Sequence, residues 1–302
     1  MSTGNVLRIL NTDRLGRLGM ALPPVEEAIT IAAFLDHETG KIDALVEEQR
    51  QLIALLREKR QAVISHAVTK GLDPNAPMKD SGVEWLGEVP EHWSATPLKY
   101  LVSLRSGGTP SKNAPEFWDG DIPWVSARDL KKEVINESTY RITDYAITSG
   151  AASCVNAGSV LVLVRGMTLA KAFPVCVISC PMAINQDLKA LNGRGEVENL
   201  FLAWTLRGLA DESLARIDEA GHGTKALRME AWTSMHLPRP SLIEQASITA
   251  FLDHETEKID ALIKEAGTAT ALLQERRSAL ISAAVTGKID VRDWANKTPE
   301  AA

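Results

Sequence analysis

The chain has 302 residues, of which 45% are hydrophobic and 24% charged, and a formal net charge of −6. Such values exclude a collagen-like or disordered polymer, and no window reaches the roughly 18 apolar residues that a membrane-spanning helix needs. The acidic balance argues against a simple nucleic-acid binder, which is usually basic, so any DNA contact must rest on local clusters and on partner subunits.

Residues 1–19 read as a tail, and Met1 to Leu10 has neither the basic start nor the apolar core of a signal peptide, which places the protein in the cytoplasm. Over residues 20–70, Ile31, Leu35, Ile42, Leu45, Leu52, Leu56 and Val63 fall on alternating three and four spacings, with Glu38, Gln49 and Lys59 filling the remaining positions. That register predicts a long helix with a heptad seam. About 45 helical residues would span roughly 67 Å. Residues 71–92 open on a stretch dense in glycine, proline and turn formers and read as a linker. Between residues 93 and 238, short apolar runs bounded by glycine (Leu98–Leu104, Ile122–Val125, Gly158–Val164, Phe173–Ile178, Gln186–Leu191) precede a helical pattern over Asn199–Leu209, which predicts a mixed α/β domain. Residues 239–290 return to the heptad register through Ile248, Leu252, Ile259, Leu262, Leu273 and Leu280, and residues 291–302 form a C-terminal tail.

The two heptad segments are copies of one another. Phe34-Leu-Asp-His-Glu-Thr39 recurs letter for letter as Phe251-Leu-Asp-His-Glu-Thr256, 217 residues later, and Lys41-Ile-Asp-Ala-Leu45 recurs as Lys258-Ile-Asp-Ala-Leu262 at the same offset. Two copies so far apart are not a solenoid, whose repeats adjoin. A long helix with one apolar stripe needs a partner, and the nearest is the other copy. The expected fold is α+β: one α/β domain plus two long helices forming an antiparallel coiled coil. Ile42, Leu45, Leu52, Leu56 and Val63 would pair with Ile259, Leu262, Leu273 and Leu280, although pairing between chains stays open.

These features resemble the DNA specificity subunits of Type I restriction-modification enzymes, in a half-length form with one target-recognition domain. The likeness rests on Leu22-Pro-Pro24 leading into Phe34-Leu-Asp36 and Ile42-Asp43, on Leu237-Pro238 with Glu244-Gln245, and on Thr286-Gly-Lys-Ile-Asp290. It rests also on Gly71-Leu-Asp73 with Ser81-Gly82, on Pro90-Glu-His-Trp93, and on Gly107-Gly-Thr-Pro-Ser111 followed by Ile122-Pro-Trp-Val125. The family order is recognition domain, helix, recognition domain, helix; here residues 1–19 stand where a first recognition domain would end.

The resemblance implies a non-catalytic subunit whose recognition domain reads a half-site on double-stranded DNA. Its helices would scaffold methyltransferase subunits, which bring S-adenosylmethionine, and through them a restriction subunit, for phage defence. It implies no cofactor or metal on this chain itself and no membrane partner. A homodimer or a second half-subunit would restore two readers, and a symmetric dimer would read an inverted repeat. The alternative is a truncated scaffold that binds proteins without reading DNA.

Base reading needs phosphate contacts for register and side chains at base edges for discrimination. Four loops of the middle domain offer them. The first carries Arg105, Thr109 and Lys112 around two glycines; the second carries Arg128, Lys131 and Lys132 after a strand; the third carries Arg165 and Lys171; the fourth, Gly221 to Arg228, carries Thr224, Lys225 and Arg228. Each has a plain alternative as a turn or a solvated charge run. Trp118 and Trp124 are read first as core anchors, and His37 with His254, at equivalent positions in the two helices, as helix or subunit contacts.

Catalytic readings find no support. A methyltransferase would need a glycine-rich cofactor loop and an aromatic-tipped motif for the flipped base, and neither is present. Asp119, Asp121 and Asp129 lie near one another, but the first two flank Gly120 in a turn. Cys154, Cys176 and Cys180 lack the spacing of a zinc site and read as reduced, packed thiols.

Overall fold

The structure is a computed structural model that describes residues 22–219, 224–292 and 294. The tail expected over residues 1–19 lies outside the described residues, as do Gly221 to Gly223 of the fourth loop. In chain order the elements begin with α1 (Val25–Lys70), β1 (Met78–Asp80), β2 (Glu88–Pro90), β3 (Ser94–Pro97), α2 (Leu98–Leu101) and β4 (Val102–Ser106). There follow β5 (Trp118–Val125), β6 (Val134–Ile135), β7 (Tyr140–Ile142), α3 (Asp144–Thr148), β8 (Cys154–Val155), β9 (Val160–Leu163), β10 (Arg165–Gly166), β11 (Val175–Ile178), β12 (Met182–Ile184) and β13 (Leu188–Gly193). The chain continues through α4 (Asn199–Gly208), α5 (Ala210–Leu214), β14 (Ile217–Glu219), β15 (Lys225–Leu227), α6 (Met229–Thr233), β16 (His236–Arg239) and α7 (Leu242–Val285). The fold is α+β with two long helices.

The chain divides into two units, one running up to Leu56 and resuming at Ala261, the other spanning Arg57–Asp260. Each long helix contributes to both. In the first unit the two helical segments run antiparallel. Arg277 grips the Asp43 carboxylate with two hydrogen bonds, Nε to Oδ1 at 2.8 Å and Nη2 to Oδ2 at 3.1 Å, while Ile31 shares a small core with Ala284 and Val291. Ile42, Val46 and Ala266 are buried in this pair.

Several residues expected on the seam are only partly covered. Leu45, Leu52 and Leu262 keep 45%, 43% and 49% of their surface exposed, and Leu56, Val63, Leu273 and Leu280 are half-buried; Ile42 and Ile259 are buried. The physical reason is that two helices alone cover only a narrow stripe of each other. Residues flanking the contact line an open groove, here walled by Leu52, Leu56 and Leu262, instead of closing into a core.

The second unit is built on a five-stranded sheet, β4-β13-β9-β11-β6, and a four-stranded sheet, β7-β5-β12-β8. Val160–Leu163 and Val175–Ile178 are buried along their whole length, as continuous apolar strands covered on both faces should be. Helix α4 packs on β9, β11 and β13. The run Leu98–Leu104, read as one apolar segment, divides into a turn of helix and a strand, because Leu98 and Leu101 are buried at helical spacing before the chain extends. The entry and exit of the domain are fastened together by β3 and β16, with Ser94 opposite Arg239 and Pro97 opposite His236. The stretch read as a linker holds the small β1-β2 sheet and buries Leu86 and Val89, and Trp93, just beyond it, is buried as well.

The long helices enter this unit by specific contacts. Gln245 is fully buried; its side chain accepts from the Glu198 amide at 2.9 Å and donates to the carbonyls of Glu196 and Pro240 at 2.8 and 3.0 Å. On α1, the Ser65 hydroxyl donates to the Gly208 carbonyl at 2.8 Å, and a Cβ added at Gly208 would lie 2.7 Å from Val68 Cγ2. Only glycine permits α4 to approach so closely. Glu133 receives both Arg60 of α1 and Arg207 of α4, while Arg207 stacks 4.7 Å from the Trp204 ring, whose Nε1 donates to Asp253 of α7 at 2.9 Å.

Candidate nucleic-acid interface

The second loop is shaped by one carboxylate. Asp129 accepts from the Ser126 amide and hydroxyl at 2.8 and 3.0 Å and from the Thr139 amide and hydroxyl at 3.0 and 2.7 Å. Burial alone would raise its pKa, but the bonds from Ser126 and Thr139 prevail and lower it, so Asp129 serves the turn. The loop folded around it leaves Arg128, Lys131 and Lys132 along one concavity, and these three cations have no ion-pair partner among the described residues.

The first loop lies against the four-stranded sheet. The Gly108 amide donates to the Ile184 carbonyl at 2.9 Å, and a Cβ at Gly107 would sit 1.9 Å from that carbonyl oxygen. Both tryptophans pin this loop: Trp124 Nε1 donates to the Gly108 carbonyl and Trp118 Nε1 to the Ser111 carbonyl, each at 3.0 Å. Trp124 is buried, as a core anchor should be, whereas Trp118 is half-buried. Arg105 spends its guanidinium on the Cys154 carbonyl at 3.0 Å, Thr109 donates to Gln186, and Lys112 is exposed.

The third and fourth loops meet. In a three-stranded sheet, β10-β15-β14, Arg165 stands opposite Ala226 and Gly166 opposite Lys225. These cations face carboxylates: Arg165 pairs with Asp187 at 2.9 Å, Lys225 with Glu219 at 3.7 Å and Arg228 with Asp218 at 3.6 Å. Thr224 is half-buried and Lys171 exposed. Of the cations among the eleven candidates, Lys112, Arg128, Lys131, Lys132 and Lys171 have no ion-pair partner among the described residues, the first four on the first two loops, whereas Arg165, Lys225 and Arg228 are neutralised and Arg105 is bonded to a carbonyl.

Sequence reasoning missed two features. One is the junction of Glu133 with Arg60 and Arg207, whose members are far apart in sequence and carry no local pattern. The other is a cavity of about 390 Å³ between the first two loops, lined by Lys112, Trp118, Asp119, Trp124, Ser126, Arg128 and Tyr140. The signal for it was Trp118-Asp-Gly-Asp121, where a register shift between Trp118 and Ile122 bends β5 and leaves Asp119 at φ +60. A Cβ at Gly120 would lie 2.5 Å from the Ile142 carbonyl oxygen, so the bend needs glycine.

Among the described residues no three His, Cys, Asp or Glu side chains are grouped to hold a metal ion, and no helix is long and apolar enough to cross a membrane. Cys154, Cys176 and Cys180 are free thiols, and burial pushes Cys176 up to about 12.

In chain order an α/β domain thus stands between two copies of one long helix, with a group of cations on its first two loops. Known proteins share this arrangement in part. The chain is 29% identical over 178 residues to the Type I restriction enzyme EcoR124I/EcoR124II specificity subunit of Escherichia coli, a match covering 58% of this chain and 41% of that protein. It is 20% identical over 289 residues to the Type I restriction enzyme MjaVIII specificity subunit of Methanocaldococcus jannaschii, covering 90% and 62%. A solved structure described as the basis of complex assembly and conformational transition of the type I R-M system superposes with a TM-score of 0.69 at 20% identity, over 89% of this chain and 61% of that one. No protein-family model matches. In sequence the chain is thus similar to Type I restriction enzyme specificity subunits, and it spans less than two thirds of the length of these curated proteins.

Proposed function

We propose that this chain is a DNA-recognition subunit of a Type I restriction-modification system. Its single described α/β domain would read a half-site, and its paired helices would scaffold methyltransferase subunits, with catalysis, S-adenosylmethionine and the restriction subunit supplied by partners. The observation that carries the reading is the group of Lys112, Arg128, Lys131 and Lys132, with no ion-pair partner among the described residues, on a domain whose fold resembles that of a solved structure from a type I R-M system. In an acidic chain, unpaired cations on adjacent loops are the groups free to replace counterions on phosphate. Asp129 fixes the loop of Arg128, Lys131 and Lys132, so their spacing is set before DNA arrives.

The test is selection of bound sequences from a random DNA pool, with the chain co-purified with its cognate methyltransferase subunit. One short motif supports a single half-reader, and a spaced inverted repeat supports two copies in a symmetric reader. No enriched motif from a stable complex overturns DNA reading in favour of a protein scaffold. In the same assay the triple change Arg128→Ala, Lys131→Ala, Lys132→Ala lowers the slope of log K against log salt by roughly 0.9 for each phosphate no longer neutralised. Arg165→Ala lowers it less, because Asp187 already neutralises Arg165.

A further inference from the structure

The aromatic cavity on the recognition domain has polar groups left over, and its chemistry is specific. Trp118, Trp124 and Tyr140 meet edge to face, with ring centroids 5.4 Å apart for the two indoles and 6.3 Å from each indole to Tyr140. Both indole N–H groups are spent on loop carbonyls, which locks the rings and leaves them only apolar surface to offer. Lys112 and Arg128 line the same cavity without ion-pair partners among the described residues, and the exposed Asp119 has no hydrogen-bond partner there. At about 390 Å³ the space falls within the range of small-ligand pockets.

Three aromatic rings with a carboxylate also describe a cage for an ammonium ion. Two unpaired cations in the lining decide against it, since they repel such a guest and attract an anion. A flat guest that stacks, carries a phosphate and donates a hydrogen bond satisfies every group present. We infer that this cavity receives one unstacked nucleobase, its phosphate met by Lys112 and Arg128 and its amino group by Asp119. The inference deepens the DNA-recognition reading: it gives the domain a pocket for a base out of the stack, beyond contacts at a groove. A carboxylate acceptor favours bases with an exocyclic amino group, such as cytosine, over thymine.

The test uses the full chain and two short single-stranded DNA oligonucleotides at fixed salt, one of deoxycytidine and one with the same backbone but no bases, followed by quenching of tryptophan fluorescence. Stacking on aromatic rings makes the base-bearing strand bind roughly 5- to 150-fold more tightly. Tyr140→Ala removes a ring that is 45% exposed, so the domain keeps its fold. It should erase most of that preference and leave the abasic strand's affinity unchanged. Equal affinity of the two strands for the native chain, or a preference that survives Tyr140→Ala, overturns the pocket. Salt-dependent duplex binding measured alongside separates the two readings. Duplex binding without a base preference refutes the pocket alone, and a base preference without any selected duplex motif upholds the pocket while refuting sequence reading.

Discussion

Glu244 offers a quantitative test of how α7 is seated. Its carboxylate closes a capping box, accepting from the Ser241 hydroxyl at 2.8 Å and the Ser241 amide at 3.2 Å, while the Ser241 oxygen caps the Glu244 amide at 3.3 Å. The other carboxylate oxygen meets His92 at 2.7 Å and Trp93 Nε1 at 3.1 Å, tying the helix start to the fully buried Trp93. Burial raises the pKa of this group, but the hydrogen bonds from His92, Trp93 and Ser241 outweigh it and hold the carboxyl at about 2, against an ordinary 4.5. A depressed pKa stabilises the fold above the unfolded value and loses that contribution as pH falls through the folded one. The window therefore runs from about pH 4.5 down to about pH 2.

The shift sets a ceiling of about 3 kcal/mol at 1.36 kcal/mol per pH unit. The side chain is 35% exposed, so solvent screening reduces this to about 1–2 kcal/mol. Glu244→Gln keeps an acceptor at the cap and removes the charge. Urea unfolding of the native chain and this variant should show a gap of about 1–2 kcal/mol at pH 7 that closes as pH falls from 4.5 towards 2. Parallel stability curves across that window, or no gap at pH 7, would refute the assignment.

Double-mutant cycles should separate the two helix-pair bridges: coupling between Asp43 and Arg277, both well exposed, stays below about 1 kcal/mol. Coupling between Arg60 and Asp260 reaches about 1–3 kcal/mol, since Arg60 is only 20% exposed and also held by Glu133; equal couplings would count against that role for Glu133. Gly208→Ala presses a methyl group onto Val68 and should cost about 1–3 kcal/mol in chemical denaturation, so an unchanged midpoint contradicts the close approach of α4 to α1. Asp129→Ala frees the loop bearing Arg128, Lys131 and Lys132, and DNA binding should weaken about ten-fold or more with the midpoint of thermal unfolding moved by only a few degrees. Native affinity in that variant would show that the loop needs no preformed shape.

Much of the architecture was legible because it rests on local periodicity. The heptad register marks α1 and α7 to within a few residues, and unbroken apolar runs mark β9 and β11. Strand β12 escaped notice because three residues between Pro181 and Asn185 carry no period of their own; β5 and β8 define it by pairing. The basic loops were legible as loops, but their sorting was not. Arg165 and Lys225 meet through a two-residue strand pairing, and the acids that neutralise them and Arg228, Asp187, Glu219 and Asp218, have no sequence mark that couples them to those cations. The aromatic cavity depends on a bend in β5 that only three-dimensional register reveals.

The repeat itself separates what pairs helices from what holds the α/β domain. Asp43 and Arg60 in the first copy correspond to Asp260 and Arg277 in the second, and each aspartate meets the other copy's arginine in the same two-bonded geometry, with Nε distances of 2.8 and 2.9 Å. The same exchange, an aspartate of one copy for the arginine of the other, thus occurs once in each unit. At the start of the helices the copies differ in chemistry: Gln245, whose side chain makes three hydrogen bonds to the backbone of the domain and its exit, corresponds to Ala28, and the capping Ser241 corresponds to Pro24. Alanine at position 28 has no polar side-chain atom with which to make those bonds. The seat for an α/β domain as α7 builds it is therefore written in residues that the first copy does not share, while the ion pairs that register the helices are written identically in both.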